Sequence, residues 1–165
     1  MLVGIAASGR TPYVLGAVAE ARRLGAVTVG ISCTPDSELA RAASLPITPL
    51  TGPEIVTGST RMKAGTATKL VLNMLTTATM IRLGHVYGNL MVNVQPKNSK
   101  LLDRARRIVS KAADVDYDRA SQLLEAAGGI VKTAIVMAKL GLSRPDAERK
   151  LEQCGGRVSE ALKRG

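Results

Sequence analysis

Aromatic side chains are almost absent from this sequence of 165 residues. Phenylalanine and tryptophan do not occur, and Tyr13, Tyr87 and Tyr117 are the whole aromatic content. The core must therefore be aliphatic, built from the 45% of residues that are hydrophobic. Domains that bind single-stranded nucleic acid stack bases on neighbouring aromatic side chains. Because no two tyrosines are close in sequence, the composition argues against such a domain.

Cysteine and histidine are also scarce. Cys33 and Cys154 lie far apart and belong to no C-x-x-C pair, and His85 is the only histidine. Neither a disulfide framework nor a zinc site is predicted, and the two thiols are expected to be free and buried. His85 follows Gly84 at the expected end of a helix, where a surface cation is favoured.

Long hydrophobic runs are missing as well. The apolar start MLVGIAAS has no basic flank and is too short for a signal peptide or a membrane span. The length fits one globular domain, or one domain with a small appended subdomain. We expect a cytoplasmic chain with no membrane association.

Positive charge is in excess, with a formal net charge of +10. This excess favours polyanions or phosphorylated small molecules as ligands. Residues 97–165 are dense in charge of both signs, which is typical of solvated helical faces. A nucleic-acid-binding role for this basic segment is the alternative, although the sequence offers no aromatic platform for it.

The first third of the chain has the pattern of a parallel sheet. Leu2–Ala7 and Val27–Ser32 are short apolar runs typical of buried strands, and Pro12–Leu24 has helical periodicity with Thr11 as its N-cap. A strand–helix–strand unit of this kind is a right-handed crossover. Leu45–Leu50 carries two prolines, which suit an edge strand.

Three further segments extend this prediction. Ser37–Ala43 is a candidate short helix, and Ser59–Leu83 a long helix whose apolar set is too broad for one stripe, so we expect that helix to be largely buried. Residues 86–94 fit either a strand or a loop. Methionines in apolar segments are expected in the core: Met62, Met74, Met80, Met91 and Met137.

Beyond Pro96 the periodicity is wholly helical. The fold class predicted is α/β for residues 1–96, followed by a helical segment and small helical subdomain at residues 97–165, with the boundary near residues 96–116. Within the helical part, Ser143 begins a capping box and Gly141 ends the preceding helix.

A first candidate site is the turn formed by Ser8, Gly9, Arg10 and Thr11. It joins the carboxyl end of a predicted strand to the amino end of a predicted helix, where free N–H groups and the helix dipole favour an anion. Gly9 permits close approach of the backbone, and the neighbouring hydroxyls and guanidinium suit a phosphate monoester. A capped turn without a ligand is the alternative.

A second candidate lies between Gly52 and Lys69, which is rich in glycine, hydroxyls and cations. Ser59 or Thr60 is expected to cap the following helix. Glu54 is the only carboxylate of the segment and can meet sugar hydroxyls or a transferred proton; the alternative is a structural pair with Arg61 or Lys63. No Walker A spacing occurs, so nucleotide-dependent phosphoryl transfer is not supported.

Three segments together resemble the sugar-isomerase-domain family that includes bacterial N-acetylmuramic acid 6-phosphate etherases. They are GIAASGRTPY, the eighteen residues from Gly52 to Lys69, and VYGNLMVNVQ. The related glucokinase regulatory proteins share the G-P-E and G-S-T-R-M-K patterns of the middle segment. The resemblance runs across essentially the whole chain, including a tail, Asp116 to Leu162, similar to the family's small C-terminal domain.

This resemblance implies a flavodoxin-like sheet, a homodimer, and a lyase that cleaves the lactyl ether of a 6-phosphorylated amino sugar without a metal or organic cofactor. Ser8, Gly9, Arg10 and Thr11 match the family's second phosphate loop, and Glu54, Ser59, Thr60, Arg61 and Lys63 are the further substrate-binding candidates. A non-catalytic sugar-phosphate receptor is the alternative.

The resemblance covers only about the C-terminal half of the family's members. The other half holds the first phosphate loop and two catalytic glutamates, which no position here matches. The sequence therefore assigns no catalytic residue, and this chain alone is expected to be inactive.

Overall fold

A computed structural model describes residues 1–163. The chain forms two compact units, of which the first is Met1–Thr76 and the second begins at Thr77. Within residues 1–163, none of the helices combines the length and the apolar composition of a membrane-spanning segment.

The first unit is built on a three-stranded parallel sheet. Its strands are β1 (Leu2–Ile5), β2 (Thr28–Ile31) and β3 (Leu45–Ile47), in the order β1-β2-β3. All four residues of β2 are buried, as a central parallel strand requires. The α/β prediction is confirmed, and the proline-containing strand lies at an edge as expected.

Two helices cover one face of this sheet. They are α1 (Pro12–Arg23) and α2 (Glu38–Ala42), and their side chains Val18 and Leu39 form a small core with Ala6. Close packing depends on Gly4, since a Cβ there would lie 2.9 Å from both Val14 Cγ1 and Val18 Cγ2. The missing side chain lets α1 pack directly on β1.

The third helix, α3 (Lys63–Arg82), packs on the opposite face through Val71, which contacts Val29 and Ile31. Much of the rest of α3 is exposed: Leu70 is 49% and Met74 62% accessible. The prediction of a largely buried helix is wrong for the described chain, because α3 is apolar on several sides and the sheet covers only one of them.

The same sheet face is open above β1. Val3 and Ile5 are paired in register with Val29 and Ile31, so they lie on the α3 side of the sheet, yet they are 39% and 40% exposed. Within residues 1–163, β1 has a neighbouring strand on one side only. The prediction that the methionines lie in the core is also wrong for four of the five. These four side chains are 44% to 62% exposed: Met62, Met74, Met80 and Met91.

After the end of α3, the second unit contains an antiparallel hairpin. Its strands are β4 (Val86–Tyr87) and β5 (Leu90–Met91). Of the two structures that the sequence allowed for residues 86–94, strand is therefore correct for these four residues. His85, expected at the surface, is half-buried just before β4. The described part of the chain continues with the helices α4 (Ser99–Ala113), α5 (Tyr117–Ala126), α6 (Val131–Leu140), α7 (Arg144–Gln153) and α8 (Val158–Lys163).

The helices of this unit begin and end where the sequence indicates. Ser143 Oγ accepts the N–H of Asp146 at the start of α7, and Gly141 ends α6 in the left-handed conformation. The core is aliphatic, as predicted, and includes Cys154. Val92 and Val94, which precede the expected boundary near residues 96–116, also join this core.

Charged side chains of the helical unit pair along their own helices. Arg107 binds Asp103 and Arg144 binds Glu148, both at 2.8 Å and both with exposed partners. Pairs of this kind are typical of solvated helix surfaces and contribute little to stability.

Candidate functional site

The turn from Ser8 to Thr11 lies where β1 ends and α1 begins. Gly9 is buried and has a φ of 65°, a conformation that glycine adopts without strain, and its N–H donates to the carbonyl of Ala6 at 2.9 Å. Ser8, Arg10 and Thr11 are exposed around it. The backbone of the turn is therefore buried at Gly9, while its polar side chains are accessible to a ligand.

The amino end of α1 lacks a side-chain cap. Thr11 occupies the N-cap position, as predicted. Its hydroxyl, however, makes no capping hydrogen bond. Ser8 Oγ accepts only a long bond from the Arg10 N–H, at 3.4 Å. The Arg10 guanidinium has no hydrogen-bond or ion-pair partner among residues 1–163. These groups are available to an anion.

A pair of buried serines that sequence reasoning missed lies beneath this turn. Ser37 caps α2, its Oγ accepting the N–H of Ala40 at 3.2 Å, and the same Oγ lies 2.9 Å from Ser32 Oγ. The Leu39 N–H donates to the carbonyl of Gly9 at 3.0 Å. The sequence indicated that Ser37 begins a helix, but nothing in it indicated contact with Gly9.

Glu54 caps α3. Its Oε1 accepts the N–H of Ala64 at 3.0 Å and its Oε2 accepts the N–H of Lys63 at 3.1 Å. These two backbone hydrogen bonds, with a smaller contribution from the Lys63 charge, lower the pKa of the Glu54 carboxyl. The carboxylate binds the helix backbone, so its role in the structure is closest to the structural alternative for Glu54, although its partners are the N–H groups of Lys63 and Ala64 and not a side chain.

The expected cap by Ser59 or Thr60 is wrong. α3 begins only at Lys63, so both hydroxyls lie before its first turn, where Ser59 N–H donates to the Val56 carbonyl at 3.1 Å. Lys63 Nζ donates to the carbonyl of Pro53 at 2.8 Å. The Arg61 guanidinium is exposed and has no partner within residues 1–163.

Cys33 connects the two candidate regions. Its N–H donates to the Ala7 carbonyl at 2.9 Å, next to Ser8, and its Sγ lies 3.8 Å from the Ala64 carbonyl in the first turn of α3. The turn at Ser8 and the start of α3 therefore share the carboxyl edge of the sheet. Cys33 is half-buried, not fully buried as expected, and lies two residues beyond the end of β2.

The structure joins only part of the predicted site. Glu54 and Lys63 are brought together, while no hydrogen bond within residues 1–163 links residues 59–61 to residues 8–11. The described residues hold no group of three or more His, Cys, Asp or Glu side chains that could bind a metal. The arrangement is suited to binding an anion.

Comparisons with known proteins show what this chain is similar to. Residues 1–78 match the family model of the SIS domain. The chain is 54% identical over 164 residues to the N-acetylmuramic acid 6-phosphate etherase of Mycolicibacterium smegmatis, 53% over 162 residues to that of Pasteurella multocida and 55% over 160 residues to that of Aeromonas hydrophila.

These alignments cover nearly all of this chain but only part of each relative. The covered shares are 99%, 98% and 97% of this chain, against 55%, 54% and 54% of the relatives in the same order. The chain thus spans about half the length of the curated relatives it matches.

Proposed function

Because residues 1–78 belong to the SIS domain family and the chain is a homologue of proteins named N-acetylmuramic acid 6-phosphate etherase, we propose that it is the phosphosugar-binding part of such an etherase. The complete enzyme is a carbon–oxygen lyase. It cleaves the lactyl ether of N-acetylmuramic acid 6-phosphate and gives N-acetylglucosamine 6-phosphate and D-lactate.

The observation that carries the proposal is the uncapped amino end of α1 beside the polar turn. Ser8 and Thr11 supply hydroxyl donors, Arg10 supplies a charge without a partner among the described residues, and the helix dipole favours a negative ligand. The turn also lies at the carboxyl edge of a parallel sheet, where open α/β sheets bind ligands. We assign it the 6-phosphate.

The start of α3 is proposed to bind the sugar. The amino end of α3 lies at the same sheet edge as the phosphate turn, because Cys33 contacts both Ala7 and Ala64. The candidate sugar-binding side chains at this helix end are Ser59, Thr60, Arg61 and Lys63. Glu54 organises this terminus, because its carboxylate bridges two backbone N–H groups.

The chemistry sets a requirement that this chain does not meet by itself. Elimination of lactate begins when a base removes the proton at C2 beside the open-chain aldehyde, and water then adds to the alkene. Glu54 is poorly suited to be that base, since both of its oxygens hold helix N–H groups and its pKa is lowered. The chain supplies binding and orientation, and we propose that alone it is inactive.

The remaining parts of the proposal concern organisation. We assign residues 1–96 to a sugar isomerase domain and residues 97–165 to a helical segment and small C-terminal domain, with a homodimer as the assembly. The open apolar face at Val3 and Ile5 supports association with further protein. A cytoplasmic location follows from the substrate, because a charged sugar phosphate does not cross a bilayer unaided.

Calorimetry tests the proposal directly. The chain should bind N-acetylglucosamine 6-phosphate and should bind N-acetylglucosamine far more weakly, since the proposed contacts are to the phosphate. Equal affinity for the two sugars, or no binding of either, would contradict it. A receptor without chemistry is less favoured, because the relatives are named as etherases.

A further inference from the structure

We propose that Ser37 is a positioning residue for the phosphate-binding turn. Its side chain packs against Gly9 and fixes the backbone conformation in which Ser8 and Thr11 are presented to the ligand. The inference rests on the proposed function of that turn and adds a residue from a different element to it.

Ser37 occupies the space that a side chain on Gly9 would need. A Cβ placed on Gly9 would lie 2.3 Å from Ser37 Oγ and 2.4 Å from Ser37 Cβ, so the Gly9 backbone rests directly on this side chain. Gly9 also has a φ of 65°, which side-chain-bearing residues rarely adopt. The turn is therefore shaped by a surface that Ser37 provides.

Ser37 is itself held firmly. It is 5% exposed, and its Oγ accepts the Ala40 N–H at 3.2 Å while lying 2.9 Å from the Oγ of Ser32, which is fully buried. Two residues after Ser37, the Leu39 N–H donates to the Gly9 carbonyl at 3.0 Å. The first turn of α2 thus holds Gly9 by a side-chain contact and by a backbone hydrogen bond.

Burial makes Ser37 a positioning residue and not a ligand of the phosphate. Its hydroxyl already has two partners within the protein, and the exposed hydroxyls of the turn belong to Ser8 and Thr11. Ser37 acts through Gly9, and its loss should be detected first in the conformation of the turn.

The test compares Ser37→Gly with Ser143→Gly in the 165-residue chain. Both serines are N-caps that accept the N–H three residues on, and glycine is tolerated at N-caps, so the control reproduces the loss of a cap far from the turn in sequence. Two quantities are measured: the exchange rate of the Leu39 amide and the affinity for N-acetylglucosamine 6-phosphate.

We expect Ser37→Gly to accelerate Leu39 exchange and to weaken binding, each by about tenfold or more, while Ser143→Gly changes neither. Gly9→Ala should lose binding through overlap with Ser37, and Gly9→Ala combined with Ser37→Gly should recover part of the Leu39 protection. If Ser37→Gly does not fold, Ser32→Ala provides the same comparison, with a smaller effect in the same direction.

Unchanged Leu39 exchange in Ser37→Gly overturns the inference, and so does faster exchange with unchanged affinity. If the unsubstituted chain does not bind the phosphosugar at all, the proposed function fails. The Leu39 exchange rate then decides separately whether Ser37 positions the turn.

Discussion

The carboxylate of Glu54 accepts the backbone N–H of Ala64 at 3.0 Å, across a loop of intervening residues, and in this way begins α3. Its other oxygen accepts the N–H of Lys63 at 3.1 Å. A negative group at the amino end of a helix satisfies two otherwise unpaired donors and interacts favourably with the helix dipole. Glu54 is thereby a structural carboxylate within the proposed substrate-binding region.

The first prediction concerns pH. The pKa of Glu54 is lower in the folded chain than in the unfolded chain, owing to the backbone N–H groups of Ala64 and Lys63. The stability contributed by the ionised form is therefore fully present above the unfolded pKa and is lost as pH falls through the folded pKa. Glu54→Gln should destabilise the first unit near about pH 7 and much less near about pH 3.

Urea denaturation of the unsubstituted chain and of Glu54→Gln at both pH values measures this difference in the free energy of unfolding. Glu125→Gln, which changes an exposed glutamate of α5, serves as the control and should leave the pH dependence as it is in the unsubstituted chain. Equal destabilisation by Glu54→Gln at the two pH values would show that ionisation of Glu54 does not contribute to the stability of the first unit.

The second prediction concerns the phosphate turn. Ser8→Ala and Thr11→Val each remove a hydroxyl that we assign to the phosphate, and each should weaken binding of N-acetylglucosamine 6-phosphate by about 1 to 3 kcal/mol, the usual contribution of a hydrogen bond to a charged group. Thr76→Val is the control, since the Thr76 hydroxyl donates to the Leu72 carbonyl of its own helix at 2.8 Å. Unchanged affinity in both turn variants would place the phosphate elsewhere.

The third prediction contrasts two glycines. A Cβ on Gly30 would lie 2.8 Å from the Ala43 Cβ and 2.9 Å from the Leu39 carbonyl oxygen, so Gly30→Ala should destabilise the first unit by about 1 to 3 kcal/mol through overpacking. Gly16, inside α1, has nothing within 4 Å of such a Cβ. Gly16→Ala should therefore stabilise by about 0.5 to 1 kcal/mol. Denaturation curves that rank the two variants in the opposite order would contradict this.

Local sequence signals predicted the elements well because their causes are local. The short apolar runs form β1 and β2, and α1 begins at Pro12. Ser143 caps the start of α7 and Gly141 ends α6, as their positions indicate. In each case the residue that decides the structure lies within one turn of the place it affects.

Predictions failed where the deciding contact is distant in sequence. The cap of α3 comes from Glu54, which no capping rule connects to Lys63, and the serine beneath Gly9 comes from the start of α2. The burial of α3 was misjudged for a related reason. Apolar composition shows that a helix face needs a partner, but it does not show that the partner lies within this chain.

The fourth prediction follows from that open face. Within residues 1–163 one edge of β1 has no partner strand, the β1 side chains Val3 and Ile5 are partly exposed, and Met74 of α3 is 62% exposed. Unpaired edges and apolar patches of this kind promote association. Light scattering should show species larger than a monomer at micromolar concentration, and Ile5→Lys or Met74→Lys should reduce them.

Leu24→Lys is the matched control for those variants. Leu24 is 68% exposed at the C-cap of α1, the helix that covers the opposite face of the sheet, and its replacement should leave the association unchanged. A monomer in the unsubstituted chain, or an equal effect of all three substitutions, would mean that the open face does not drive association.

The last prediction is that this chain alone does not release lactate from N-acetylmuramic acid 6-phosphate, whereas a full-length relative does. The proposed contacts hold and orient the sugar, but the only carboxylate of the second candidate segment is bound to helix N–H groups, with a lowered pKa. A positioned acid or base group typically accelerates a reaction by about 100-fold to 10,000-fold, so its absence should leave turnover near background.

Lactate is measured for this chain, for a full-length relative, and for this chain mixed with the half of that relative that it does not match. Activity in the relative and in the mixture, with none in the chain alone, is the expected result, and it would mean that the chain supplies binding while the other half supplies the proton acceptor. Turnover by the chain alone would contradict the prediction. Glu54→Gln would then be the deciding variant, because loss of that turnover would identify Glu54 as the base despite its place at the start of α3.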